Sequence, residues 1–137
     1  MVVSFIILYF IYNIMDYIIP AFIMLTLDGV YLSNIGGPLF NPMITNIQGN
    51  KMTLNPFGAI IVYVLMLFVL YKFIIIERKS PIDAFLLGFC IYGIFDFTNI
   101  AIFKKYKYLP ALVDMFWGGI LFYITTLLTY KLRKIKI

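Results

Sequence analysis

Histidine is absent from this 137-residue chain, cysteine occurs once, and charged residues are scarce. Without histidine, imidazole-based catalysis, imidazole metal ligation and the usual switch near neutral pH are excluded. The single cysteine, Cys90, excludes an intramolecular disulfide and a cysteine-based metal site. We therefore predict neither a metal site nor a cofactor.

Apolar residues, by contrast, are abundant in the chain. They make up 64% of the chain, and 12% of its residues are charged, whereas soluble domains have about 45–50% apolar and about 25% charged residues. These values predict an integral membrane protein, with room for about four spans of ~20 residues. The net charge of +5 does not indicate a nucleic-acid partner. The basic residues flank apolar segments, where they anchor helices in the lipid bilayer.

Turn and breaker residues divide the chain into four predicted spans. The only long predicted loop runs from Ile35 to Pro56 and contains Gly36-Gly37-Pro38 and Asn55-Pro56. Short connections elsewhere make consecutive spans antiparallel neighbours. The predicted fold is therefore an all-α, up-down four-helix bundle in one domain. Its expected parts are an N-terminal helical extension at 1–13, spans at about 14–33, 58–76, 82–103 and 110–130, and a basic tail at 131–137.

The distribution of basic residues predicts the orientation of the chain. One side of the membrane would carry Lys72, Arg78, Lys79 and the basic tail, and the other Lys51 and the lysines of 104–107. The positive-inside rule then favours both termini in the cytoplasm. No cleaved signal peptide is expected, because no basic residue precedes the first apolar run.

Three aspartates lie inside predicted spans, without a basic residue near them in the same segments: Asp28, Asp96 and Asp114. A carboxylate in hydrocarbon is costly, and such residues by default suggest a functional site. At 1.5 Å per residue, Asp28 lies about 9 Å, Asp96 roughly 12 Å and Asp114 about 6 Å from one common face of an antiparallel bundle. The three carboxyls are therefore predicted at similar depth in one leaflet.

Helical spacing adds companions to these acids. Residues three, four or seven positions apart share a helix face, and polar or aromatic side chains occur at those offsets from each aspartate. The candidate polar cluster consists of Asp28, Tyr31, Tyr92, Asp96, Asn99, Asp114 and Trp117. Two interpretations stay open: the groups hydrogen-bond between helices and only hold the spans together, or they form a ligand or catalytic site.

Three motifs in order resemble the small membrane proteins called domain of unknown function 2177. They are Leu27-Asp28-Gly29-Val30-Tyr31-Leu32, Tyr92-Gly93-Ile94-Phe95-Asp96-Phe97-Thr98-Asn99 and Val113-Asp114-Met115-Phe116-Trp117-Gly118. The similarity runs from about Tyr12 to Tyr130. It implies a four-span bundle and marks the same three aspartates, although Tyr31 stands where the family usually has Trp, and Phe95 where Tyr is common. The family has no assigned activity, and gene neighbourhood connects bacterial members with lipid modification.

Three functional hypotheses follow. The first is a non-enzymatic, scaffold-like membrane protein whose polar cluster sets the packing of one leaflet half. The second is a lipid-modifying enzyme or accessory, with Asp96 as general acid–base and Asn99 orienting the substrate. The third, a cation or proton pathway, is disfavoured because the other leaflet half offers no matching acids.

Composition also suggests a source. Ile is far more frequent than Ala, and Lys than Arg, as in AT-rich coding genomes such as those of some large DNA viruses or protists. The expected location is a cellular or viral membrane and, if the source is a large virus, the internal membrane of the virion. The basic tail would then contact anionic lipid head groups or a membrane-protein or capsid partner.

Overall fold

The computed structural model describes residues 2–136, with side chains described from residue 14 onward. The predicted all-α membrane bundle is confirmed: four segments are long and apolar enough to span a bilayer, and no strand occurs among the described residues. The helices are α1 (Val2–Tyr31), α2 (Gly37–Gln48), α3 (Pro56–Leu70), α4 (Pro81–Ile102) and α5 (Tyr108–Arg133). Wide π-helical turns continue α1 at Leu32–Gly36 and α3 at Tyr71–Ile75.

Helices α4 and α5 form the tightest pair, an antiparallel hairpin closed by residues 103–107. Small residues allow their backbones to approach. A Cβ atom on Gly88 would collide with the carbonyl oxygen of Gly118, and one on Gly118 would collide with the Tyr92 ring. Any larger residue at either position would therefore separate the two helices.

Helix α1 lies antiparallel to both α5 and α3. Its Tyr31 contacts Asp114 near the start of α5, and its Asp16 contacts Arg133 at the end of α5. We call the end of the bundle with the α4–α5 connection the hairpin end, and the end with Asp16 and Arg133 the terminal end. Between them lies a layer of fully buried apolar side chains that consists of Met24, Leu70, Leu121 and Phe122.

The prediction of a loop from Ile35 to Pro56 is wrong for its first part, because α2 occupies Gly37–Gln48. The glycines that suggested a break instead form the wide turn, where the Gly37 N–H donates to the Leu32 carbonyl. Glycine is required there, since a Cβ on Gly36 would come within 2.8 Å of the Tyr31 ring. The helix ends at Gly49, whose left-handed φ of 81° favours glycine.

Helix α2 covers the hairpin end through an apolar face. Met43 is buried with Tyr106 and Ala111, and Lys105 Nζ donates to the Asn46 carbonyl at 3.1 Å. The chain therefore continues from α1 through the wide turn into α2, which packs on the α4–α5 connection.

Local capping fixes where the other spans begin. Asn55 accepts a hydrogen bond from the Gly58 N–H at the start of α3. Ser80 and Asp83 form a capping box at the start of α4, with Pro81 in its first turn. At the other end of the chain, α5 continues to Arg133, so the predicted basic tail begins as helix. The side chains of the predicted extension at 1–13 lie outside the described residues.

Candidate functional site

Asp28 has the most complete hydrogen bonding of the three intramembrane aspartates. Tyr63 on α3 donates its hydroxyl to Asp28 Oδ2 at 2.5 Å, and Trp117 Nε1 on α5 donates to Oδ1 at 2.7 Å. The residue is 5% exposed. Both carboxyl oxygens thus have a partner, and the aspartate connects α1 with two other helices.

Asp114 is paired on one oxygen only. The Tyr31 hydroxyl donates to its Oδ1 at 2.8 Å, and the Tyr31 ring stacks on Trp117 with ring centroids 4.4 Å apart. Asp114 Oδ2 accepts no hydrogen bond from residues 14–136. Asp114 also lies within electrostatic range of Asp28 and Asp96. The stacked rings therefore connect the Asp28 and Asp114 carboxyls through their polar ends.

Asp96 is fully buried and takes its partner from the hairpin connection. The Tyr106 hydroxyl donates to Asp96 Oδ1 at 2.6 Å, while Oδ2 has no partner among the described residues. Burial, followed by the adjacent Asp96 carboxyl, raises the pKa of Tyr106 above its ordinary value. The phenol thus stays protonated and keeps donating to the buried acid.

The remaining predicted members, Tyr92 and Asn99, contact none of the three carboxyls through a hydrogen bond. The Tyr92 hydroxyl lies 3.9 Å from the Met66 sulfur, and the Asn99 amide nitrogen donates to the Phe95 carbonyl of its own helix at 3.1 Å. Tyr92 packs beneath the cluster against Gly118. Asn99 is half-buried at the side of α4.

Sequence reasoning missed two donors, Tyr63 and Tyr106. Tyr63 lies on a span without an acid, so helical spacing gave it no companion in the cluster. Tyr106 lies among the lysines of the hairpin connection and resembles an interfacial aromatic residue. No local signal distinguishes either residue from the other tyrosines among the chain's eleven.

The three carboxyls share one end of the bundle but do not form a single ligand set. No group of three acidic or cysteine side chains close enough to hold a metal ion occurs within residues 14–136. Each acid instead has its own aromatic donor: Tyr63 and Trp117 for Asp28, Tyr31 for Asp114, and Tyr106 for Asp96.

Two apolar clefts meet at Asp114. The first, of about 530 Å³, lies between α3 and α4 and is lined by Val62, Leu65 and Tyr92 among others. The second, of about 640 Å³, lies between α4 and the wide turn with α2. Phe95 and Asp114 line both clefts. Asp114, rather than the fully buried Asp96, is therefore the carboxyl that a molecule in the surrounding bilayer can reach.

The terminal end carries a different set of polar groups. Asp16 forms an ion pair with Arg133, and their side chains are 20% and 12% exposed. The Tyr130 hydroxyl lies within hydrogen-bond distance of the Ile74 and Lys79 carbonyls. Three buried hydroxyls on α5 have no partner among the described side chains and backbone: Thr125, Thr126 and Thr129.

Comparison with known families identifies the chain. The family described as predicted membrane protein DUF2177 matches residues 2–131. The chain belongs to this family. The resemblance inferred from the three motifs is therefore confirmed, and the match extends over the residues before Tyr12. No curated protein and no solved structure matches the chain significantly.

Proposed function

We propose that this DUF2177 protein is a non-enzymatic multi-pass membrane protein in which the aspartates set the packing of the hairpin end. One observation carries the proposal: each intramembrane aspartate accepts a hydrogen bond from an aromatic donor on another segment. Asp28 even has donors from two helices. Side chains paired in this way need no ligand to account for their presence in the bundle.

The energetics fit such a packing role. Interhelical hydrogen bonds in membranes contribute on the order of 1 kcal/mol each. The cluster has three of them, and a fourth bond joins Asp96 to Tyr106 in the hairpin connection. Losing one acceptor also leaves a donor unsatisfied in hydrocarbon, at a cost of about 1–3 kcal/mol. The donors lie on α1, α3, α5 and the hairpin connection. The cluster therefore determines which helices become neighbours. Apolar contacts alone determine this choice poorly.

The basic tail gives the proposed scaffold a surface for a partner. Lys131, Lys134 and Lys136 are exposed, whereas Arg133 is engaged with Asp16. We expect this tail in the cytoplasm, on anionic lipid head groups or on a protein partner. A viral membrane and a capsid partner are expectations from composition only.

Two substitutions at Asp96 test the packing function. Asp96→Leu removes the acceptor for Tyr106 and should yield clearly less folded, monodisperse protein in mild detergent than the parent chain. Asp96→Asn keeps an acceptor and should fold like the parent chain. Both results are measured by size exclusion and by fluorescence of the single tryptophan, Trp117. Normal folding of Asp96→Leu would contradict the proposal.

A second candidate function, a lipid-modifying enzyme or accessory, is favoured by Asp114. One of its oxygens has no partner within residues 14–136, and the residue lines both clefts. If Asp114→Asn folds normally but abolishes a change in the lipids of membranes that contain the protein, this function replaces the packing role. Mass spectrometry of lipids from cells with the parent chain and the variant makes the comparison.

A cation or proton pathway is the weakest candidate. Asp16 at the terminal end is an acid in the other half of the bundle, but it is paired with Arg133. The fully buried apolar side chains of Met24, Leu121 and Phe122 lie between the two ends. A continuous polar path would have to cross this layer.

A further inference from the structure

The two clefts at the hairpin end are adjacent parts of one surface along α4. They share Phe95 and Asp114, and the Phe95 side chain is 62% exposed. The cleft between α3 and α4 has almost only apolar lining residues, whereas the cleft beside α2 adds Gln48, Asn99 and Tyr106. One part of this surface suits a hydrocarbon chain, and the other suits a polar group.

The polar lining is rich in unused acceptors. The side-chain amide nitrogen of Gln48 donates hydrogen bonds to the Asn50 and Lys51 carbonyls, and that of Asn99 donates to the Phe95 carbonyl. The carbonyl oxygens of both side chains are left without a protein donor, as is Asp114 Oδ2. The Tyr106 hydroxyl already donates its hydrogen bond to Asp96. A molecule that complements this lining must therefore bring hydrogen-bond donors.

The position of Asp114 and the charge of Lys104 restrict the class of ligand that could bind this surface. Asp114 lies in the second turn of α5, about 9 Å along the helix from Tyr108, which is within reach of a lipid head group. Lys104 follows the cleft residue Phe103 directly and is exposed. An amphiphile with a cationic donor near Asp114, an anionic group near Lys104 and a hydrocarbon chain along Phe95 would match all three features.

We propose that this surface binds a phospholipid with a primary ammonium head group, of the phosphatidylethanolamine type. The ammonium donates to Asp114 and to the Asn99 carbonyl oxygen, the phosphate faces Lys104, and one acyl chain lies over Phe95 in the cleft between α3 and α4. This inference goes beyond the packing role, since it assigns a ligand to Asp114 Oδ2, which has no donor within residues 14–136 and, unlike the unpaired Oδ2 of fully buried Asp96, belongs to a residue that lines both clefts. It requires no covalent step.

Lipid competition tests the proposal directly. The purified chain is reconstituted in vesicles of equal parts phosphatidylethanolamine and phosphatidylcholine with identical acyl chains, extracted in mild detergent, and analysed by native mass spectrometry. Choline has no N–H donor, so the parent chain should retain phosphatidylethanolamine about tenfold over phosphatidylcholine, which corresponds to one charged hydrogen bond. Equal retention of the two lipids would overturn the proposal.

Variants of the chain test whether the preference for phosphatidylethanolamine comes from this surface. Asp114→Asn still accepts from Tyr31 but loses its charge, and should bring the two lipids close to parity. Asn99 bonds none of the three acids directly, although it contacts Tyr106. Asn99→Leu should reduce the preference about threefold, as expected for one hydrogen bond of ordinary strength. Asp83→Asn removes the same charge at the other end of α4, and the full preference should persist.

Identical preferences in Asp114→Asn and the parent chain would overturn the lipid site. That result would leave the packing role standing, because packing is tested by unfolding of the Asp96 variants rather than by lipid retention. Conversely, a normally folded Asp96→Leu with a preserved lipid preference would remove the packing role and keep the lipid site.

Discussion

The hairpin end and the terminal end of this bundle place polar groups in an apolar environment in two different ways. At the hairpin end, acids accept hydrogen bonds from neutral aromatic donors, as in the pairs Tyr63–Asp28 and Tyr31–Asp114. At the terminal end, Asp16 faces the cation of Arg133, and threonine hydroxyls on α5 are buried without a partner among the described residues. A fully buried apolar layer separates the two ends.

The aromatic–carboxyl pairs and the ion pair suit different positions in the bundle. Tyrosine and tryptophan donate hydrogen bonds from rigid rings that also bury apolar area. A hydrogen bond such as that from Trp117 to Asp28 therefore orients two helices without placing a second charge in the membrane. An ion pair requires desolvation of two charges. Here Arg133 is the last residue of α5, and both side chains of the pair are partly exposed. We expect polar groups to determine helix pairing at the hairpin end and apolar contacts to dominate at the terminal end.

The largest expected effect is that of Asp28→Leu. The substitution leaves the donors of Tyr63 and Trp117 unsatisfied, so the free energy of unfolding should fall by about 4 kcal/mol, from ~1–3 kcal/mol for each orphaned group. Unfolding in mixed detergent micelles, followed by Trp117 fluorescence, measures the loss. Asp28→Asn is the matched control and should lose about 1 kcal/mol, as for one weakened hydrogen bond. Equal losses in the two variants would contradict the account.

Tyr106→Phe should have the next largest effect. Fully buried Asp96 would lose its one hydrogen bond, at a cost of about 2 kcal/mol for an unpaired polar group. Tyr123, an exposed tyrosine on α5, provides the control, since Tyr123→Phe should change the unfolding free energy by less than about 0.5 kcal/mol. An equally small change for Tyr106→Phe would show that Asp96 finds other partners.

Asp16→Asn should cost less than either change at the hairpin end. The ion pair with Arg133 is partly exposed, and such pairs contribute about 1 kcal/mol or less. The stability difference between parent and variant should also shrink at high salt, because exposed charges are screened. A loss as large as that of Asp28→Leu would remove the distinction between the two ends.

Thr125→Val should have the smallest effect. The hydroxyl is fully buried and lacks a partner within residues 14–136, so an isosteric methyl group removes a desolvated polar atom at no loss of a hydrogen bond. The unfolding free energy should stay within about 0.5 kcal/mol of the parent value or rise. A clear loss of stability would mean that the hydroxyl has a partner, and would make the terminal end resemble the hairpin end.

Sequence alone predicted the features that depend on periodicity and on rare residue types. Four apolar segments predicted the bundle, and the position of Asp28, Asp96 and Asp114 in antiparallel spans predicted a common end. The stacking of Tyr31 on Trp117 was not predicted, although spacing placed each ring next to its aspartate. The predicted bundle is confirmed, because hydrophobic length is a local property of the chain.

Other features depend on tertiary contacts that leave no local signal. Helix α2 was predicted as a loop because Gly36 and Gly37 usually break helices, whereas here they permit a wide turn around the Tyr31 ring. Arg133 was assigned to a basic tail, since its partner Asp16 is distant in the sequence. The hypothesis with Asp96 as general acid–base did not anticipate the full burial of this residue, because depth in a bundle depends on helix rotation.

The most direct test of the packing role is a double-mutant cycle between Asp28 and Tyr63. Unfolding free energies of the parent chain, Asp28→Leu, Tyr63→Phe and the double variant are measured through Trp117 fluorescence under one set of detergent conditions. The account predicts a coupling energy of about 1 kcal/mol or more, as expected for a hydrogen bond between helices. A coupling energy near zero would contradict the claim that these aromatic donors and acids hold the hairpin end together.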